Sequence, residues 1–290
     1  MKYLVTGSKG QLGFDIVREL QKRGITDIVS IDKEDLDLTD GNKVHEYVLN
    51  MKPDVIFHTA AWTNVDEAEE QEDLVYDINV KGTSYLVDAA EELGCKIFYI
   101  STEYVFDGKK SGLYEVDDPV NPLNVYGKTK FLGEQEVRQY SRHFIIRTSW
   151  LFGINGSNFV ETILKPGNKQ EEINVVSDQL GSPTYTVDLA KLLVDMSKTE
   201  KYGTYHASND GFCSWADLAE YIFKLNEKTI KVNHINASEY PSQALRPLNS
   251  KLSKKSLIEN GFKTLPSWKD AIDRYHEELI EKSKQIDKGN

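Results

Sequence analysis

Cysteine is scarce in this chain: two of 290 residues, Cys95 and Cys213, lie far apart and outside any C-x-x-C pair. Nothing in that spacing recommends a disulfide framework or a thiolate metal site. It fits two reduced, buried residues of a cytoplasmic protein. Long apolar runs are missing too. None spans a bilayer, and the sequence opens on a strand-like Lys2-Tyr3-Leu4-Val5 with no signal peptide ahead of it. Positive charge is in deficit, with a formal net charge of -11. An acidic surface, without a basic patch interleaved with aromatics, argues against nucleic acid or an anionic membrane as the main partner. An anionic small molecule stays compatible, because a local cationic pocket is enough to hold it. The chain also lacks H-E-x-x-H and G-x-S-x-G, which sets aside a zinc peptidase and a serine hydrolase. His45, His143, His206, His234 and His276 form no ligand-spaced set. His58 sits in an apolar run and reads as a packed core histidine, so no metal site is assigned.

Apolar residues are plentiful: at 39% hydrophobic composition, the chain can bury a large core. Continuous apolar runs at Tyr3 to Thr6, Ile28 to Asp32, Val55 to Ala61, Ile97 to Thr102 and Phe144 to Trp150 have the pattern of parallel strands covered on both faces. Helical patterns lie between them, at Gln11 to Arg23, Lys43 to Met51, Ile78 to Leu93 and Val125 to Tyr140. This rhythm predicts an α/β fold, a doubly wound parallel Rossmann-type sheet. Residues 1–150 form the expected dinucleotide-binding domain, and 151–290 mostly a smaller α/β substrate-binding domain, with 179–207 returning to the first. The later pattern predicts helices at Asn158 to Leu164 and Val187 to Ser197, strands at Ile173 to Val176, Thr204 to Ala207 and Ile230 to Ile235, and a helix capped by Ser214. A last amphipathic helix is expected from Trp268 to Glu281, then a frayed polar tail from Lys282.

Two motifs carry chemistry. Thr6-Gly7-Ser8-Lys9-Gly10-Gln11-Leu12-Gly13 follows the first strand and opens the first helix. Gly7, Gly10 and Gly13 allow a tight turn and close backbone approach to a pyrophosphate at a helix N-terminus. Asp32, at the end of the second strand, suits ribose hydroxyls and repels a 2′-phosphate, while Lys33 beside it offsets that repulsion. Both NADPH and NADH therefore stay open as cofactor. The second motif is Tyr126-x-x-x-Lys130, two side chains four apart on one helix face. A free tyrosine, with a pKa near about 10, is a poor acid at neutral pH, and a neighbouring ammonium is expected to lower it. Thr102, at the end of the fourth strand, offers a hydroxyl to a carbonyl oxygen. Together these residues predict hydride transfer between a nicotinamide and a carbonyl or alcohol carbon.

The set resembles the extended short-chain dehydrogenase/reductases, and within them the dTDP-4-dehydrorhamnose reductase family. Further segments carry the likeness: Ala60-Ala61-Trp62-Thr63-Asn64-Val65-Asp66, Ser101-Thr102-Glu103-Tyr104-Val105-Phe106-Asp107-Gly108, Arg147-Thr148-Ser149-Trp150, Asp178-Gln179-Leu180-Gly181-Ser182-Pro183-Thr184 and Arg246-Pro247-Leu248-Asn249-Ser250. The resemblance implies reduction of the C4 ketone of dTDP-4-dehydro-β-L-rhamnose to dTDP-L-rhamnose, a sugar donor for cell-surface polysaccharide. It implies Tyr126 as proton donor, Lys130 as its partner and Thr102 as carbonyl orienter. It places Gly10, Gln11, Leu12, Asp32, Asp37, Leu38, Ala60 and Ala61 along the cofactor. Thr63, Thr102, Glu103, Trp150 and Arg246 fall along the dTDP-linked 4-keto-6-deoxy sugar. Glu103 stands where the family usually has Asp, and Trp62 where it usually has His or Tyr. Some members are described as magnesium-linked dimers; a homodimer is carried over as an expectation, a metal is not. Two alternatives share the scaffold: another nucleotide-sugar epimerase, dehydratase or reductase, and a regulatory subunit like the β subunit of methionine adenosyltransferase. The intact Thr102, Tyr126 and Lys130 speak against the latter.

Overall fold

The computed structural model describes residues 1–164 and 171–289, with backbone alone for 285–289. The first half alternates β1 (Tyr3–Thr6), α1 (Gln11–Lys22), β2 (Ile28–Ile31), α2 (Gly41–Met51) and β3 (Val55–His58). Short helices α3 (Val65–Ala68) and α4 (Glu72–Tyr76) lead through a π-turn at Asp77–Lys81 into α5 (Gly82–Leu93). Then come β4 (Lys96–Thr102), a 3-10 turn at Glu103–Val105, α6 (Val125–Arg138) and β5 (His143–Thr148). The second half holds β6 (Leu151–Phe152), α7 (Phe159–Leu164), β7 (Glu172–Val176), β8 (Leu180–Gly181), β9 (Thr184–Tyr185), α8 (Thr186–Met196) and β10 (Gly203–His206). It ends with β11 (Cys213–Ser214), α9 (Trp215–Leu225), β12 (Lys231–Ile235), α10 (Lys255–Glu259) and α11 (Trp268–Gly289).

Six strands form one parallel sheet in the order β10-β5-β4-β3-β1-β2. Side chains alternate between its faces, and both faces are apolar, which is why the strands read as unbroken runs. On one face Tyr3, Phe57, Phe98, Phe144 and Tyr205 pack under Leu12, Ile16 and Leu20 of α1 and Leu189 and Leu193 of α8. Their rings form a cross-strand ladder, from Tyr3–Phe57 at 5.9 Å to Phe98–Phe144 at 4.3 Å between centroids. The opposite face packs Leu4, Ile56 and Tyr99 against Val44 and Val48 of α2 and Leu86 of α5. A separate core joins Phe152, Val160, Tyr185, Ile222 and Tyr275, binding α7, α9 and α11 together. Cys95 and Cys213 are both buried and unpaired. No helix among the described residues is long and apolar enough to cross a membrane.

The elements named from sequence fall within a few residues of those observed, but β6, β8, β9, β11 and α10 are not among them, and other differences stand out. β3 stops at His58, and Thr59 to Ala61 leave the sheet to line a cleft. β5 stops at Thr148, because Trp150 turns the chain with φ of +49°, outside the strand region. The helices at 65–76 are too short to show a 3.6-residue period. Finally, α11 does not fray at Lys282 but continues to Gly289. Lys282 Nζ donates to Ile154 O at 2.8 Å, tying that turn to the body of the protein.

The order around β1 fixes where a ligand can sit. From β1 the sheet grows outward in both directions, to β2 and to β3. In open parallel sheets the crevice at such a reversal, beyond the carboxyl ends of the strands, is where ligands bind. The cleft of about 1060 Å³ opens there, between Thr6 to Gly13 and Thr59 to Thr63.

Candidate active site

One arm of the cleft is the glycine loop. Gly7 adopts φ of +67°, and a Cβ on it would lie 2.7 Å from Ala60 N. A Cβ on Gly13 would lie 2.3 Å from Gly7 O. Loop, helix and the end of β3 thus touch backbone to backbone, which only glycine permits. Gly10 caps α1 with no side-chain hydrogen bond, so the helix presents first-turn amides and its positive dipole end to the cleft. An uncapped helix start over a shallow glycine cradle fits a pyrophosphate. Gln11 and Leu12 line the same arm.

Asp32 stands past the end of β2, its carboxylate accepting from Lys9 N at 2.9 Å and Lys33 N at 2.8 Å. Lys9 Nζ is turned aside to Glu34 at 2.9 Å. Asp37 lines the cleft, but its carboxylate is committed to Thr39 N at 2.9 Å and Thr39 Oγ1 at 2.8 Å. These bonds hold Asp37 below the usual carboxylate range. Leu38 packs on Gly82, Ala60 N donates to Thr6 Oγ1 at 3.3 Å, and Ala61 continues the wall.

The other arm carries the reactive side chains. Thr102 ends β4, while Tyr126 and Lys130 stand one turn apart on α6, and all three line the cleft. Asn124 caps that helix, accepting from Gly127 N at 2.8 Å. A Cβ on Gly127 would lie 2.3 Å from Tyr104 O, so the helix is seated directly on the 3-10 turn after Thr102. Burial pushes the Tyr126 phenol above its ordinary value, the charge of Glu103 adds to this, and a hydrogen bond with Thr102 opposes it. Burial likewise pulls the Lys130 ammonium down to about 7, against the opposing charge of Glu134. Its Nζ lies 4.0 Å from the centre of the Tyr99 ring. This corrects the expectation that Lys130 lowers Tyr126. In this arrangement desolvation disfavours the charged form of each group.

Beneath Thr102 lies a buried polar cluster that the sequence did not single out. Arg147 on β5 grips Glu134 on α6 through Nε–Oε1 and Nη2–Oε2, both 2.8 Å, and Glu134 Oε1 also accepts from Ser101 Oγ at 2.6 Å. Asn79, in the π-turn, accepts from Trp62 N at 2.8 Å and donates to Thr129 Oγ1 at 3.2 Å. It thereby joins the cleft loop to α6. His58 is a core residue as expected, bonded to Thr6 Oγ1 at 2.9 Å and Thr83 Oγ1 at 3.1 Å.

On the outer side, Trp150 stacks on Trp215 with ring centroids 3.7 Å apart, and both line the cleft with Trp62, Thr63 and Glu103. A Cβ on Gly181 would lie 2.7 Å from the Trp150 ring, so that glycine makes room for the stack. Arg246 is not on the cleft wall. It pairs with Asp66, Nη2–Oδ2 at 2.7 Å and Nη1–Oδ1 at 3.2 Å, and stands behind Tyr104, which does line the cleft. The guanidinium holds the Asp66 carboxyl at about 2. Trp215 and Tyr104, which line the cleft, and Asn79, which ties the cleft loop to α6, were not singled out in the sequence because no motif spacing marks them and only the fold brings them to the site.

The sequence profile of the RmlD substrate binding domain family matches residues 1–281. A spore coat polysaccharide biosynthesis protein, SpsK, of Bacillus subtilis is 38% identical over 278 residues, covering 96% of this chain and 97% of its own. Among solved structures, a dTDP-4-dehydrorhamnose reductase of Clostridium acetobutylicum superposes with a TM-score of 0.94 at 40% identity, covering 97% of this chain and 100% of its own. A Bacillus anthracis dTDP-4-dehydrorhamnose reductase in complex with NADP gives 0.92 at 40% identity, over 96% and 100%. Profile, relative and structures each span nearly the full length, and the chain belongs to the RmlD substrate binding domain family.

Proposed function

We propose that this chain reduces the C4 ketone of dTDP-4-dehydro-β-L-rhamnose to dTDP-L-rhamnose with NADPH or NADH. One observation carries the reading: Thr102, Tyr126 and Lys130 converge on the same cleft that the glycine loop and Asp32 open for a dinucleotide. On this reading residues 1–150, with 179–207, hold the dinucleotide, and the remainder supplies most of the sugar side. Gly7 to Gly13 take the pyrophosphate, Asp32 the adenosine ribose, and Ala60 and Ala61 flank the cofactor. Bound there, a reduced nicotinamide supplies a hydride for C4. Tyr126 gives its phenolic proton to the carbonyl oxygen as charge grows on it. Burial suits that role, because it keeps the phenol protonated until the step that needs it. Lys130, when charged, stabilises the phenolate left behind. Thr102 orients the ketone oxygen, and Trp150, Trp62 and Thr63 exclude water around the sugar. Arg246 grips the substrate pyrophosphate by exchanging Asp66 for phosphate oxygens. The resemblance further supports a homodimer working in the cytoplasm, which sedimentation and cell fractionation test.

The test is to mix the protein with the dTDP-4-keto sugar and NADPH or NADH. One mole of reduced cofactor lost per mole of dTDP-L-rhamnose formed, identified by NMR, supports the reading. Turnover without net cofactor loss would indicate an epimerase or dehydratase instead.

A further inference from the structure

We infer that Glu103 is a positioning residue that must carry a proton before Thr102 can donate to the reacting oxygen. The inference rests on the proposed reduction and concerns the direction in which one hydroxyl points.

A threonine hydroxyl has a single proton and two lone pairs. In the structure Thr102 Oγ1 spends that proton on Glu103 Oε2 at 2.8 Å. One lone pair is taken by Tyr104 N at 3.2 Å. With Glu103 ionised, Thr102 therefore has no proton for the cleft, and its other lone pair faces the Tyr126 phenol, with which it is hydrogen-bonded. A ketone oxygen on its way to an alkoxide is itself an acceptor, and two acceptors facing each other repel. If Glu103 is protonated, the bond reverses. Its hydroxyl donates to Thr102 Oγ1, and the Thr102 proton swings out to the ketone oxygen. No covalent bond changes hands between these groups; two O–H vectors reorient. Tyr126 still makes the actual proton transfer.

The surroundings favour the protonated form. Glu103 is 3% exposed, and burial pushes its carboxyl up to about 7. The groups facing it are Tyr104, its neighbour in the 3-10 turn, and Tyr126 from α6, both driven upward and so neutral. Beyond Tyr104 stand Arg246 and Asp66, which neutralise each other as a pair. Lys130, a turn along from Tyr126, has Glu134 as its charged neighbour. Among the described residues, no lysine, arginine or histidine pairs with Glu103 to hold it in its charged form.

The competent form is the protonated one, so it is present below a pH of about 7 and lost as pH rises through that value. Activity falls about tenfold per pH unit above it. Lys130 also titrates near about 7, and its loss adds a second alkaline limb. Glu103→Gln separates the two. Its amide donates to Thr102 at every pH and fixes the outward hydroxyl. We expect the variant-to-wild-type ratio of kcat/KM for the ketone, whatever its level at pH 6, to climb above pH 7 with a log slope of about one. Glu103→Asp keeps an acid and should keep the steep alkaline loss. Circular dichroism confirms that each variant folds. Infrared pH titration of the protein without substrate reads the proton directly: a carboxylic acid band that titrates near neutrality in wild type and is missing from Glu103→Gln. An equal loss in Glu103→Gln at all pH values overturns the inference, as does a band that titrates in the ordinary glutamate range. Wild-type turnover is the control for the functional reading, and its absence counts against that reading alone, since the infrared band is read without it.

Discussion

Arg147→Met tests what holds the catalytic helix against the sheet. Arg147 is 1% exposed and Glu134 fully buried, and their two-point contact joins β5 to α6 one turn past Lys130. Methionine nearly matches the volume of the arginine stem but leaves the Glu134 carboxylate with Ser101 and with Arg138 at 3.3 Å. Removing one partner of a buried pair costs about 3–5 kcal/mol. At roughly 2–4 °C per kcal/mol for a chain of this size class, the expected fall in Tm is about 6–20 °C. The pH dependence gives a second check. Arg147 holds the Glu134 carboxyl below its ordinary value, so the pair's contribution is present above the unfolded value of about 4.3 and lost as pH falls through the lower folded one. The variant deficit is therefore near its full size from pH 7 down to about 5 and shrinks only as pH falls below about 4.3. Urea unfolding followed by circular dichroism at a series of pH values measures it. A further change, Glu134→Leu in the Arg147→Met background, should restore much of the loss, because the carboxylate stranded by the loss of Arg147 is then gone. A deficit under about 1 kcal/mol, or one independent of pH, would refute the reasoning.

Three other outcomes follow from the site. Tyr126→Phe removes only a hydroxyl, so the fold and NADPH binding persist while turnover falls about 10²–10⁴-fold in a stopped assay; near-normal turnover would remove Tyr126 from the chemistry. Asp32→Ala takes away the carboxylate beside Lys9 and Lys33, and the NADPH-to-NADH ratio of kcat/KM should rise; an unchanged ratio would turn Asp32 away from the ribose. Arg246→Lys keeps the charge but loses the two-point grip, and should raise KM for the nucleotide sugar while leaving NADPH Kd unchanged; equal loss of both would mark a folding defect.

Much of the sheet was legible because each parallel strand is buried on both faces and so leaves a continuous apolar run, as in Val55 to His58. The glycine loop was legible because part of its constraint is local: Gly7 takes a φ of +67°, and a Cβ on Gly13 would meet Gly7 O. Thr102, Tyr126 and Lys130 were found from spacing and order along the chain. The charge states around them were not, because desolvation depends on what the fold lays over each group. Lys130 is drawn to about 7 by burial that no i, i+4 argument contains. Trp150 was expected in the cleft, but its partner Trp215 lies far along the sequence, and its φ of +49° runs against the preference of a bulky residue. Arg246 shows the converse. Its sequence neighbourhood pointed to phosphate, whereas the structure gives its donors to Asp66, a residue 180 positions away.

The position of β10 at the edge of the sheet has a consequence for how the protein is made. A nascent chain that has reached only residue 150 already holds β1 to β5, yet the outer edge of β5 is bare until Gly203–His206 arrives to pair with it. Phe144 waits for Tyr205 over the same interval. Everything from β6 to α8 must therefore emerge from the ribosome while a sticky, unpaired strand is exposed. The first 150 residues, expressed alone, would be a template for aggregation rather than a miniature of the cofactor-binding half, and premature termination before about residue 206 should yield insoluble product.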